Sequence, residues 1–521
     1  MKSVIWMAAL MVMLVVSMML ASCDVNEPEI QRDEKNEESM DISSYENGSG
    51  SDAGIYDNSL RSLNKDVPDG EQNMLYSIQK QSAVYSANSL LYFLNREGKR
   101  LECEKRIVVT TESDDVIKKT IEQLALGPKV KGLEPVIPQE VKVESVEYHN
   151  NVVSVYLSGE FLEADDLLVA RAALVNTILG VKPGAEYVKI YVDGYELTDN
   201  GKEDGQVLGL LTKYPDGLDE IKAHEFEKVL GKGVTHIYRE LYFQDEDKRF
   251  LVPEIRPVVV KQGMIVQAIV EELLKGPSPQ EQGLYPTLPK DTQLLKIKYV
   301  EGSDSSKGLE LYFSKEFKSA FDNQINSEFM MVGSLVHSLA GLPEAEWLKI
   351  YYQDEWEEYV DAPIMILNLK RKFSKENFPH LLGTRIKVYF GDKDVMNLVP
   401  EYRVISRSST DIATEIIKEL IEGPLQADHV GVIPKLSTKD IEVWVDDKTA
   451  FVNLPSKING SSLGSAGETM ALYSIVNSLT DPANTENIKQ VQFLVDGKVV
   501  QEFGNMALGE PFVRNPALIK E

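Results

Sequence analysis

From residue 86 onward, apolar positions along this chain follow two rhythms in a fixed order. Alternating runs on either side of a polar turn come first, as in "IYRELYFQDEDKRFLVPEIRPVVV" from Ile237, and a period of two is the mark of half-buried strands. The rhythm then changes. In "IATEIIKELIEGP", Ile412, Ile416, Ile417, Leu420 and Ile421 fall on one face of a helix. Two further alternating runs follow, separated by polar turns such as Asp446-Asp447-Lys448, and then a second helical stretch and a last strand. The predicted unit is a strand pair, helix, hairpin, helix and strand, over roughly 110–125 residues.

The unit occurs three times. "LVPEIRPVVV" at Leu251 and "LVPEYRVISR" at Leu398 are nearly the same phrase, and "LECEKRIVV" at Leu101 is a diverged first version. Tyr92, Tyr242 and Tyr389 correspond, as do Glu104, Glu254 and Glu401, and Arg106, Arg256 and Arg403. Each first helix ends in Gly-Pro: Gly127-Pro128, Gly276-Pro277 and Gly423-Pro424. Glycine suits the left-handed conformation that closes a helix, and proline cannot continue one. Glu and Arg two apart on a strand share a face, which predicts a structural role in pairing across strands. The second helices end "LVNTILG", "LVHSLAG" and "IVNSLTD", where Asn176 and Asn477 are expected to bond backbone near a helix end.

Strands interleaved with one-sided helices argue an α+β class: three tandem small domains, each a β-sheet with two helices. These landmarks, taken together and in order, resemble the GerMN domain, a module named after a spore germination protein. The resemblance covers about residues 86–200, 236–358 and 384–503, with 201–235 and 359–383 as linkers and 504–521 as a C-terminal arm. Copy one departs from it with Leu-Glu-Cys-Glu for Leu-Val-Pro-Glu, and copy two with His337 for the helix Asn. The resemblance implies a part in sporulation or germination and in assembling envelope complexes. Three sequential repeats suggest beads on a tether.

The N-terminus changes the picture. After Lys2 an uncharged apolar stretch runs to "LASC", Leu20 to Cys23. That ending resembles the bacterial lipobox, so residues 1–22 read as a lipoprotein signal peptide and Cys23 as the lipidated residue. A simple signal peptide or uncleaved anchor is the other reading. Residues 23–85, rich in Asp, Glu, Ser and Asn, read as an acidic tether too polar to form a core. The expected location is the extracytoplasmic face of the cell membrane, held through lipid on Cys23. The expected partners are an envelope protein complex or peptidoglycan. Composition is otherwise ordinary, 43% hydrophobic and 26% charged over 521 residues, but the net charge of −27 repels phosphate backbones and argues against nucleic acid. The chain has two cysteines; with Cys23 carrying lipid, Cys103 has no disulfide partner.

No catalytic constellation, cofactor site or metal site emerges. The histidines His149, His224, His236, His337, His380 and His429 are scattered, without metal-ligand spacing. "GSSLG" (Gly460–Gly464) matches a nucleophile elbow in letters only, since the strand before it stops at Pro455. The acidic stretches Asp245–Lys248 and Asp199–Gly205 lack the twelve-residue calcium loop and read as solvated turns. The function expected is therefore a non-enzymatic, membrane-anchored binding or assembly scaffold. The alternative is a protein that binds or acts on peptidoglycan.

Overall fold

The computed structural model describes residues 85–110, 115–231, 233–279, 281, 283–321, 325–353, 359–361, 372–409, 411–434, 440–446, 448–456, 464–485, 488–503 and 506–520. Cys23, the tether and residues 460–463 of the Gly-Ser-Ser-Leu-Gly stretch lie outside them. The chain divides into two compact units, residues 1–90 with 105–119 and residues 91–104 with 120–521. The described part of the first is the start of one strand, the end of the next and the first turn of a helix. Residues 105–110 of the second strand thus belong to the first unit, and the second holds the remaining described residues.

Copy one begins with strands β1 (Tyr85–Asn95) and β2 (Leu101–Thr110), followed by helix α1 (Asp115–Ala125) and the short strand β3 (Leu133–Glu134). The hairpin β4 (Val143–His149) and β5 (Val152–Leu157) leads into helix α2 (Leu167–Val181), then β6 (Tyr187–Val192) and β7 (Tyr195–Glu196). Helix α3 (Leu218–Glu227) and β8 (Val229–Gly231) precede copy two. Copy two repeats the order with β9 (Val234–Gln244), β10 (Leu251–Lys261), α4 (Ile265–Leu274), β11 (Leu294–Glu301), β12 (Lys307–Phe313), α5 (Ile325–Leu339), β13 (Trp347–Gln353) and β14 (Tyr359–Asp361). Copy three has β15 (Gly383–Gly391), β16 (Leu398–Ser406), α6 (Ile412–Glu422), β17 (Glu442–Asp446), β18 (Thr449–Leu454), α7 (Gly464–Leu479), β19 (Gln490–Val495), the pair β20 (Glu502–Phe503) and β21 (Met506–Ala507), and β22 (Phe512–Val513).

The α+β class and the three tandem units are thus present. In each copy the second hairpin is joined by a parallel strand: β5 to β6, β12 to β13 and β18 to β19. A parallel neighbour requires a crossover, and the buried helices α2, α5 and α7 supply it. The first strand pair forms a separate ladder, β9 on β10 and β15 on β16. Leu309, Leu311 and Phe313 of β12 pack with Val266, Ile269 and Leu273 of α4 and with Leu335 and Leu339 of α5 in one core. Ala450, Val452, Ile416, Leu420, Val476 and Leu479 do the same in copy three.

After the last strand of each copy the chain turns back as an arm. Leu211, Phe373 and Phe512 bridge Val188, Leu348 and Val491, the corresponding residues of β6, β13 and β19. The arm then reaches the first residue of the second strand: Leu101 N donates to Asp216 O, Leu251 N to Leu381 O, and Lys520 N to Leu398 O. The stretches read from sequence as linkers and the one read as a C-terminal arm therefore contain the same element, used three times to tie a copy's two ladders together.

Candidate functional site

The recurrent Glu and Arg sit on the helix-facing side of the second strand, and the structure gives them partners that spacing alone did not. Their cross-strand neighbours are Leu241 and Arg239 for Glu254 and Arg256, and Val388 and Ile386 for Glu401 and Arg403. Among the described residues of copies two and three, no ion pair crosses the ladder at these positions. Each Glu instead accepts N–H groups just beyond the Gly-Pro. Glu104 Oε2 takes Lys129 (2.7 Å) and Val130 (2.9 Å), Glu254 Oε2 takes Ser278 (3.0 Å), and Glu401 takes Leu425 (3.0 Å) and Gln426 (3.2 Å). In copies two and three the recurrent Arg meets the recurrent Glu along the strand, Arg256 Nε to Glu254 at 2.8 Å and Arg403 Nη1 to Glu401 at 2.5 Å. The same guanidinium groups donate to the carbonyl of the helix-ending glycine, Gly276 and Gly423, both at 3.0 Å. Arg106 is likewise buried.

The local chemistry explains why these four letters, Glu, Arg, Gly and Pro, travel together. A helix ends with unpaired carbonyls and a partial negative charge, which a guanidinium satisfies. Gly127, Gly276 and Gly423 have φ of 78°, 78° and 91°, the turn only glycine adopts freely. The proline stops the helix, and the amides after it would be stranded without the carboxylate. A further acid one helical turn before the glycine closes the cluster: Glu272 lies 3.5 Å from Arg256 and Glu419 3.3 Å from Arg403. Sequence reasoning missed that acid, although its constant spacing before Gly-Pro was a legible signal; Gln123 holds the place in copy one. Burial pushes the Glu401 carboxyl up, but the Leu425 N–H, Arg403 and the Gln426 N–H outweigh it and hold it below the ordinary carboxylate range. Such a carboxylate is saturated with donors and unsuited to act as a base.

The second helix carries two more recurrent pins. Thr177, Ser338 and Ser478 each accept the backbone N–H of the corresponding tyrosine, Tyr92 (3.1 Å), Tyr242 (3.0 Å) and Tyr389 (3.0 Å). One turn earlier, Ser334 and Ser474 donate to the carbonyls of Tyr242 and Tyr389. Asn176 and Asn477 do bond backbone, but that of the returning arm. Asn176 binds the N–H and carbonyl of Tyr214, and Asn477 those of Asn515. His337 takes this place in copy two, with burial pushing it down to about 4. In copy three Arg514 of the arm also bridges Asp481, the Tyr389 hydroxyl and the Asn477 carbonyl, each at 2.8 Å.

The copies are not separate beads. Buried Arg239 of copy two pairs with buried Glu196 of copy one, and Lys189 of copy one lies 3.1 Å from Glu196 and 3.6 Å from Glu240. Burial alone would raise the Glu196 carboxyl and lower the Lys189 amine, but their mutual attraction and that of Arg239 and Glu240 reverse both directions. Arg407 of copy three lies 3.9 Å from Glu147 of copy one and acts electrostatically on the Tyr242 hydroxyl of copy two. At this junction burial and Arg407 push His149 down to about 4.

The other candidates stay apart. Asp245 Oδ1 accepts the N–H groups of Arg249 and Phe250, Asp199 that of Gln206, and Asn200 that of Lys202, so these acidic turns bind their own backbone. Asp199, Glu203 and Asp204, with Lys307 and Glu344, line a cavity of about 610 Å³. Among the described residues, no group of His, Cys, Asp and Glu is placed to hold a metal ion. Among them too, no helix is long and apolar enough to cross a membrane.

Fold and bonding together define a tandem α+β repeat protein whose recurrent polar residues lock helix ends, ladders and arms. A family model described as Germane, sporulation and spore germination, matches residues 90–198, 240–356 and 387–501, and the chain belongs to that family. Among solved structures, it is similar to the tandem GerMN domains of the sporulation protein GerM from Bacillus subtilis. Identity is 22%, over 54% of this chain and 98% of that one, with a TM-score of 0.22. The first GerMN domain of the same protein matches at 19% identity over 24% of this chain and 96% of that one, with a TM-score of 0.20. Among curated proteins nothing matches.

Proposed function

We propose that this protein is a non-enzymatic envelope lipoprotein, anchored through Cys23, that serves as an assembly scaffold in sporulation or germination. One observation carries the non-catalytic part. The polar residues that recur across the copies, Glu104, Glu254 and Glu401 foremost, are bonded to backbone in every copy and form structure rather than a reaction centre. Family membership supports the link to spores. The Leu-Ala-Ser-Cys ending supports the anchor.

The test is crosslinking of intact growing and sporulating cells that carry the tagged chain, alongside labelling with a radioactive fatty acid. Envelope-complex subunits captured mainly during sporulation, with label lost in Cys23→Ser, are expected. Label persisting in that variant would overturn the anchor. Capture of cell-wall material in both conditions, without those subunits, would replace the scaffold with a peptidoglycan-associated protein.

A further inference from the structure

The three second strands differ in one respect that bears on partners. In copy two the N–H of Tyr242 goes to Ser338, away from β10, and Tyr242 stands opposite Pro253. Antiparallel neighbours turn their backbone groups toward or away from each other as a pair. Pro253 and, by the two-residue alternation, Ile255, Pro257 and Val259 therefore direct their backbone to the outer edge. Two of those four positions are prolines, which carry no N–H to offer a further strand. In copy three Pro400 stands opposite Tyr389 in the same way, and Val404 of that edge is buried against the copy-two core.

Copy one lacks this protection. Tyr92 has the same bond, to Thr177, so the corresponding alternation in β2 turns the N–H and carbonyl of Lys105, Ile107 and Val109 outward. Ile107 replaces Pro257 at its place in the repeat. Ile107 is 71% and Val109 57% exposed, and Lys105 is exposed as well, while Glu104, Arg106, Val108 and Thr110 between them are buried. Among the described residues no strand lies beyond β2, whose sheet has the order β2-β1-β3. At its start the edge is closed by the arm, through Leu101 and Asp216.

We propose that the edge of β2 from Lys105 to Val109 is a strand-addition site for an extended segment of another protein. That segment would place apolar side chains beside Ile107 and Val109 and a carboxylate beside Lys105. Main-chain bonds would give affinity and the alternate side chains selectivity. Lysine on an edge disfavours neutral or basic strands and selects an acidic one. A second β2 does not match, since it would bring another lysine rather than the carboxylate that Lys105 selects. This inference deepens the scaffold reading and rests on it. Peptide binding tests the edge alone, so its failure leaves the crosslinking outcome untouched.

The probe is a fluorescein-labelled peptide, Val-Thr-Val-Thr-Glu-Thr, whose two valines and glutamate share one face of a strand, titrated into the full chain in detergent, with hydrogen exchange followed at Lys105, Ile107 and Val109. Saturable binding that protects those amides is expected, weakened about tenfold in Ile107→Pro and retained in Ile107→Val. The fold accepts proline there, as Pro257 shows in copy two, and circular dichroism checks that Ile107→Pro stays folded. A peptide with Lys for Glu should bind several-fold more weakly. Failure of the peptide to bind at millimolar concentration, or binding unchanged by Ile107→Pro, overturns the proposal. So does a concentration-dependent dimer that Ile107→Pro abolishes, because the edge would then belong to a second copy.

Discussion

Replacing Glu401 with Ala tests the helix-end clamp most directly. The carboxylate is 1% exposed and holds Arg403, itself 5% exposed, together with the amides of Leu425 and Gln426. His429 Nδ1 adds a fourth contact at 2.6 Å. Removing one partner of a buried charge pair costs about 3–5 kcal/mol, and each stranded amide about 1–3 kcal/mol. The contributions overlap, because Arg403 keeps Gly423 O and Glu419 and because neighbours in one network do not add. A loss of about 4 kcal/mol is therefore expected in urea unfolding at neutral pH, and about half that for Glu401→Gln, which keeps an acceptor. The pH dependence adds a second readout. The folded carboxyl sits below its unfolded value, so its contribution is present above the ordinary carboxylate range and is lost as pH falls through the depressed value. The gap between wild type and variant should close on acidification over that window. A neutral-pH loss under about 1 kcal/mol, or a gap indifferent to acid, would show that the carboxylate is a solvated strand residue and refute the clamp.

Three further outcomes follow from the same bonds. His337, pushed from 6.5 to about 4 by burial, is charged in the unfolded chain before the folded one as pH falls, so stability declines between those values by at most roughly 3 kcal/mol; His337→Asn should flatten that part of a pH–stability curve, leaving the share due to His149. Asn477→Ala unpins Asn515 from the second helix and should cost about 1–3 kcal/mol, with faster hydrogen exchange confined to the arm from Leu508 to Asn515 and unchanged exchange there as the contrary result. Gly423→Ala meets no atom within 4 Å, so only its backbone, φ 91° and ψ −179°, is strained, and calorimetry should register about 1–3 kcal/mol rather than a collapse of copy three.

Sequence by itself determined the repeating unit, because period-two and period-3.6 apolarity are local consequences of which face each element buries. Gly-Pro punctuation fixed the helix ends for the same local reason, and the recurrence of Glu104, Glu254 and Glu401 showed that something held those positions constant. What held them depended on distance in space. Glu401 meets amides 24 and 25 residues away, and Asn477 an arm 38 residues on; no periodicity encodes such a meeting. The arms were illegible within the linkers because their few alternating residues are too short to signal a strand and pair only with a sheet already built. The junction of Lys189, Glu196, Arg239 and Arg407 was illegible as well, since scattered charges on three copies look like solvated surface until packing removes the water. Local patterning fixes which elements form, whereas burial and pairing across the chain decide what their polar residues do.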